Sequence, residues 1–278
     1  MYSVLILISL MLAFPRSIAS RRNYRIGCTL REKYAKQTIS PPSQFPCLFS
    51  SARQEAFITS RRSAVRSFKI ARYHNSCNEI DSEIEEKVSK WIKNVVIGLN
   101  FCPFAEKSRS NKHLFTTVVR GSDVEEILSV VLYESILRKD DEGTTVVICP
   151  DLFPSSFIDF YETVVMAEEM LFDQDMEGII QIAPFHPLFR FEGSGVEGVD
   201  NLTNRAPYPI FHILREEEVS SAVNKLDGDS SKVWQRNIDL LDLMEEKYGR
   251  ETTEKIMAGE KVEGLGELIR SLKLDDNK

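Results

Sequence analysis

The chain has 278 residues, 42% of them hydrophobic, which is enough for one or two domains with a sizeable core. Its net charge of −7 hides two opposite parts, because residues 1–78 carry +11 and the remainder −18. The acidic remainder argues against a nucleic-acid partner. Of five cysteines only Cys102 and Cys149 follow residue 78, too few for a disulfide-stapled secreted scaffold.

The first twelve residues are apolar and free of acids, too short to cross a bilayer but suited to the core of a signal peptide cleaved after Ala13 or Ala19. Residues 16–76 are rich in Arg and Ser and nearly free of acid, as transit peptides are. This tandem resembles the bipartite presequences of algae with complex plastids, and Ala13-Phe14-Pro15 resembles their cleavage region. The resemblance implies a plastid location. A secretory signal with a basic linker and a mitochondrial leader are the alternatives. The expected division is a signal-like segment over 1–20, a leader over 21–78, a core domain over 79–249 and a helical tail over 250–278. No membrane span is expected in the mature protein.

After the leader, Ile80, Ile84, Val88, Trp91, Val95 and Leu99 recur on one face of a helix, with Asn78 as its cap. A turn through Phe101-Cys102-Pro103-Phe104 follows. Residues 114–120 read as a first strand stopped by Gly121, and Ser122-Asp123-Val124-Glu125 as a capping box opening a helix to about Arg138. Residues 144–149 form a second strand. Ser155 or Ser156 caps a third helix with Phe157, Tyr161, Val164, Val165 and Leu171 inward. Residues 178–185 make strand three and 209–215 strand four. Glu216, Glu217 and Glu218 open another helix, and residues 231–248 a further one stopped by Gly249. Trp234, Ile238, Leu241 and either Met244 or Tyr248 face inward on that helix.

This order predicts an α/β fold: a single domain with a four-stranded mixed sheet and helices packed on it, two-layer or sandwich, containing βαβ crossovers. If strands one to three are parallel, their carboxyl ends gather Arg120, Cys149 with Asp151, and His186 at the edge where such sheets bind ligands. Strand four is expected to be antiparallel or at an edge.

The candidate chemistry lies in the loop between strands three and four, about twenty residues long and well beyond ordinary connections. It opens with His186-Pro187 and closes with Asn204-Arg205 and two prolines. A histidine at a strand end suits acid–base work, and equally suits a brace bonded to loop backbone. Arg205 on a proline-stiffened segment suits bidentate recognition of carboxylate or phosphate, or a salt bridge to an acid such as Glu192 or Asp200. Asn204 and Tyr208 are candidates to orient a substrate, and Arg120 to enlarge an anion pocket. Cys102 is a weak candidate nucleophile, because the end of a helix disfavours a thiolate. His212 reads as a core histidine beside Ile210 and Leu214.

No metal and no cofactor is called for. No pair among Cys102, His186 and His212 has the close spacing of a zinc site. Gly193-Ser194-Gly195-Val196-Glu197-Gly198 spells a dinucleotide fingerprint, yet no helix is expected to begin at Gly198. Asn201-Leu202-Thr203 is a formal glycosylation acceptor within the loop, read as coincidence.

Three long motifs carry a resemblance. They are Val96-Ile97-Gly98-Leu99-Asn100-Phe101-Cys102-Pro103-Phe104 after Trp91, Gln181-Ile182-Ala183-Pro184-Phe185-His186-Pro187, and Asn204-Arg205-Ala206-Pro207-Tyr208-Pro209 with His212 and Arg215. Over about residues 84–246 the chain resembles the mainly bacterial domain-of-unknown-function family numbered 1415. The resemblance implies a compact single domain and no particular reaction. The expectation is a soluble organellar enzyme for a small anionic metabolite, with His186 as acid or base and Arg205 on the anion; the alternative is a non-catalytic ligand- or protein-binding domain using the same loop. The sequence is silent on oligomeric state.

Overall fold

The computed structural model describes residues 79–224 and 231–271. The leader, its cleavage positions and the Asn78 cap lie outside the described residues. Helix α1 (Glu79–Trp91) buries Ile84, Val88 and Trp91 as its spacing predicts, while Ile80 in the first turn is exposed. It widens into a π-helical stretch, Ile92–Ile97, that turns Ile92, Val95 and Val96 into the core together. A π-helical stretch adds residues to the turn, so adjacent positions reach the same interior.

Helix α2 (Ala105–Ser110) and strand β1 (Leu114–Val118) follow, then α3 (Val124–Asp140). The cap of α3 is Asp123, whose carboxylate accepts from the Glu126 N–H at 3.0 Å, one residue beyond the expected Ser122. Strand β2 (Thr144–Ile148) leads to α4 (Phe157–Asp173), capped by Ser156. The buried face of α4 is turned from the expected one: Phe160, Thr163, Val164, Ala167 and Leu171 are inside, whereas Phe157, Tyr161 and Val165 are only half-buried. Strand β3 (Ile180–Phe185), a 3-10 turn (Val199–Asn204) and strand β4 (Ile210–Arg215) complete the sheet. Helices α5 (Glu216–Asn224), α6 (Ser231–Tyr248), α7 (Arg250–Met257) and α8 (Leu265–Ser271) end the described chain.

The sheet has the order β1-β2-β4-β3, with β1 and β2 parallel and β4 antiparallel to both its neighbours. Strands one to three therefore point the same way. β4 is antiparallel as expected but central rather than at an edge, and it separates β2 from β3, which do not pair. The residues of both strands are compatible with these places. β4 carries buried apolar side chains on both faces, Phe211 and Ile213 on one and Ile210 on the other, which suits a place between two strands and under helices on each side. Pro184 has no N–H to give a neighbour, and β3 takes the outer position where that is tolerated.

Helices cover both faces, so the arrangement is a helix–sheet–helix sandwich. On one face α3 and α4 pack, with Phe160 of α4 tilted against Phe211 at 5.0 Å. On the other, α1, its π-helical end, α6 and α7 close over Val146, Ile148, Ala183, Phe185 and Ile210. Trp91 meets Phe185 edge-on at 5.5 Å. Ile256 and Met257 of α7 belong to this same core, so α7 is packed into the domain. No helix among the described residues is long and apolar enough to cross a membrane.

Candidate functional site

The carboxyl ends of β1, β2 and β3 share one edge of the sheet, and the long loop begins and ends there. Side-chain alternation along β3 carries His186, one step past Phe185, onto the face of α4. Its imidazole is fully buried between Phe157 and the ring of Phe160, which stacks on it at 5.2 Å. One ring nitrogen, Nε2, lies 3.0 Å from the carbonyl oxygen of Phe153, and the other, Nδ1, accepts from the Leu188 N–H at 3.0 Å. A carbonyl cannot donate and an amide N–H cannot accept, so the ring is neutral with its proton on Nε2. Burial lowers its pKa further. Phe153 adopts a left-handed backbone, φ 46°, which turns its carbonyl toward the ring.

Asn204 stands at the other end of the loop, also fully buried. Its backbone carbonyl accepts from the His186 N–H at 3.2 Å, and its side chain takes the Thr203 hydroxyl and reaches the Pro184 carbonyl. The two ends of the loop are thus tied to each other. Asn201 ties the middle, accepting from the Phe191 N–H at 2.9 Å and donating to the Gly195 carbonyl at 2.8 Å. Asn201 is fully buried, so in the folded domain its amide nitrogen offers no surface for a glycan.

The glycine run closes on itself as well. The Ser194 hydroxyl donates to Asp200 at 2.7 Å, and a Cβ at Gly198 would collide with both of those side chains. A short 3-10 turn does start after Gly198, contrary to expectation, but Ser194 and Asp200 already fill the space at its start.

Arg205 leaves the loop with its guanidinium about one-fifth exposed. Nη1 lies 3.3 Å from the Glu254 carboxylate on α7 and Nη2 donates to the Val196 carbonyl at 3.2 Å. The partner acid is Glu254, not Glu192 or Asp200. Its Nε is buried without a partner. Arg250, the first residue of α7, shares the same Glu254 oxygen through Nε at 2.9 Å and holds Glu245 through Nη1 at 2.6 Å. Its Nη2 is likewise buried and unpaired.

The other candidates have surroundings of their own. Arg120 grips Asp151 at 2.8 Å and reaches Asp81 at 3.4 Å, and this pairing, with the Gly121 N–H, holds the Asp151 carboxyl below the usual range. Tyr208 is half-buried under the Lys87 ammonium, 5.0 Å from its ring centre. Cys102 is half-buried; desolvation raises its thiol, against the lowering effect of the Phe104 and Ala105 N–H groups. Burial raises the Cys149 thiol well above its ordinary value. His212 lies on the opposite face of the sheet from His186. Its Nε2 is 2.7 Å from Thr144 Oγ1, whose own proton goes to the Ile213 carbonyl, so the imidazole donates through Nε2. Desolvation pushes His212 down to about 4.

The structure also brings in residues that the sequence reading missed. Arg236 and Asn237 of α6 are buried and reach the end of the π-helical stretch, where Arg236 donates to the carbonyls of Leu99 and Asn100 and Asn237 to that of Phe101. The available clue was a polar pair at inward positions between Val233 and Leu240. Among the described residues no group of three or more His, Cys, Asp and Glu is arranged to hold a metal ion.

The family described as "Protein of unknown function (DUF1415)" matches residues 83–251, more than half of the chain. No curated protein and no solved structure matches it.

Proposed function

The chain belongs to the DUF1415 family, and from that premise we propose that it is a binding domain for a small anionic molecule, with Arg205 as the anchor. The observation that carries this reading is the Arg205 guanidinium at the end of a tied loop, with Nε buried and unpaired. A buried donor left unmade costs about 1–3 kcal/mol, so a ligand oxygen placed there gains more than at an exposed arginine. Asn204 and His186 fix the loop, and Ala206-Pro207 stiffens the step after the arginine. Preorganisation of this kind favours binding.

Binding is favoured over catalysis because both nitrogens of His186 are engaged by backbone groups. A role as acid or base requires one of those bonds to open when the ligand enters. The test is a thermal-shift screen of the full chain against small carboxylates, sugar phosphates and nucleotides, repeated on Arg205→Ala and His186→Gln. A ligand at about a hundred times its Kd adds roughly 2.7 kcal/mol. The expected result is an anion that raises the melting temperature of the wild type and of His186→Gln but not of Arg205→Ala. If nothing shifts the wild type while both substitutions lower its melting temperature, Arg205 is a structural tie and the reading fails.

A further inference from the structure

We propose that the Glu254 carboxylate is a placeholder, and that a tetrahedral oxyanion of the phosphate type on a small molecule displaces it to lie between Arg205 and Arg250. This rests on the anion-binding reading of Arg205 and extends the site to α7. A single oxygen of Glu254 serves both guanidiniums, at 3.3 Å from Arg205 Nη1 and 2.9 Å from Arg250 Nε. That arrangement leaves Arg205 Nε and Arg250 Nη2 buried with nothing to bond.

Each arginine is anchored by its other nitrogens. Arg205 Nη2 is held by the Val196 carbonyl, and Arg250 Nη1 by Glu245 and the Glu197 carbonyl. The two forks therefore stay in place when Glu254 leaves. Glu254 is the member able to leave: its side chain is 43% exposed, against 22% and 25% for the two arginines. A carboxylate has two oxygens and uses one of them here. A phosphate or sulfate presents oxygens in four directions, and fork geometry lets one oxyanion accept from Nε and a terminal nitrogen of each guanidinium.

Charge points the same way. With Glu254 in contact, the two guanidiniums face Glu254 and Glu245 and the cluster is neutral. Withdrawal of Glu254 leaves one net positive charge between the arginines. Glu197 lies 4.0 Å from Arg250 but is 81% exposed, where water screens it.

The experiment is calorimetric titration of the full chain with inorganic phosphate, sulfate and acetate at constant ionic strength, on wild type, Glu254→Gln, Arg250→Gln and Arg205→Ala. Phosphate and sulfate are expected to bind the wild type and acetate not. Glu254→Gln removes the competing charge and is expected to bind phosphate about tenfold more tightly, or about 1.4 kcal/mol. Arg250→Gln is expected to lose phosphate. Equal phosphate affinity in wild type and Glu254→Gln, or phosphate binding that survives in Arg250→Gln, overturns the displacement. If such binding is still lost in Arg205→Ala, the anion reading of Arg205 stands without it. Absence of binding by any anion to any of the four proteins overturns both. Far-UV melting checks that Arg250→Gln is folded, and if it is not, the Glu254→Gln comparison decides.

Discussion

His186 shows how a residue type suited to chemistry is used as an internal tie. Its two ring nitrogens join three segments, the turn after β2, the end of β3 and the loop itself, through the Phe153 carbonyl and the Leu188 N–H. Replacing it by alanine removes two bonds and opens a space beside Phe160, which is expected to cost about 2–5 kcal/mol in chemical denaturation. His212 leads to a prediction about pH. Its folded pKa of about 4 lies below the unfolded value of 6.5, so the unfolded chain takes up the proton first as pH falls. Its contribution is complete above pH 6.5 and lost progressively as pH falls toward 4, by up to about 3 kcal/mol. His186, also lowered, acts in the same direction. In denaturation curves between pH 6.5 and 5, where most carboxylates stay ionised, His212→Gln is expected to show a smaller loss than the wild type. An unchanged slope would remove His212 from the account.

At the scale of elements, α6 is locked to the end of α1 by polar groups in an otherwise apolar layer. Arg236 is a buried cation without a carboxylate partner among the described residues; the carbonyls of Leu99 and Asn100, at the negative end of a helix, take its place. Arg236→Ala strands those carbonyls and is expected to destabilise the fold by about 2–4 kcal/mol, measured by urea denaturation. Arg236→Met, of similar length, does not restore them. The start of α3 offers a sharper contrast. Asp123 caps the helix through the Glu126 N–H, so Asp123→Ala is expected to cost about 0.5–2 kcal/mol and Ser122→Ala close to nothing. Equal losses in the two variants would mean that the expected capping box exists after all. Local pattern located this helix to within a few residues, yet a serine and an aspartate side by side are both good caps. Only the backbone geometry at Asp123 decides between them.

At the scale of the whole molecule, α7 closes the sandwich through Ile256 and Met257, and through Arg250 and Glu254 it meets the loop. A chain ending at residue 249 loses both contacts. Burying the two apolar side chains contributes about 3–6 kcal/mol, so the truncated chain is expected to melt well below the full one. It is also expected to lose any anion that depends on Arg250. A melting temperature unchanged by the truncation would show that α7 is an appendage.

The sequence by itself determined what local spacing encodes. Period four in α1, β-branched runs in the strands and turn residues between them specify the elements, the mixed four-stranded sheet and the two ends of the long loop, because such patterns act over a few residues. It also singled out His186, Asn204 and Arg205 as the loop's defining positions, since histidine, asparagine and arginine beside prolines are uncommon in an apolar strand-to-strand connection. Tertiary structure alone decided the rest. The insertion of β4 between β2 and β3 depends on which faces the helices can cover, and that is a property of the assembled layers. The partners of Arg205 depend on packing in the same way. Glu254 lies 49 residues further along, and no spacing in the chain distinguishes it from the many other glutamates until α7 docks and brings its carboxylate to the loop.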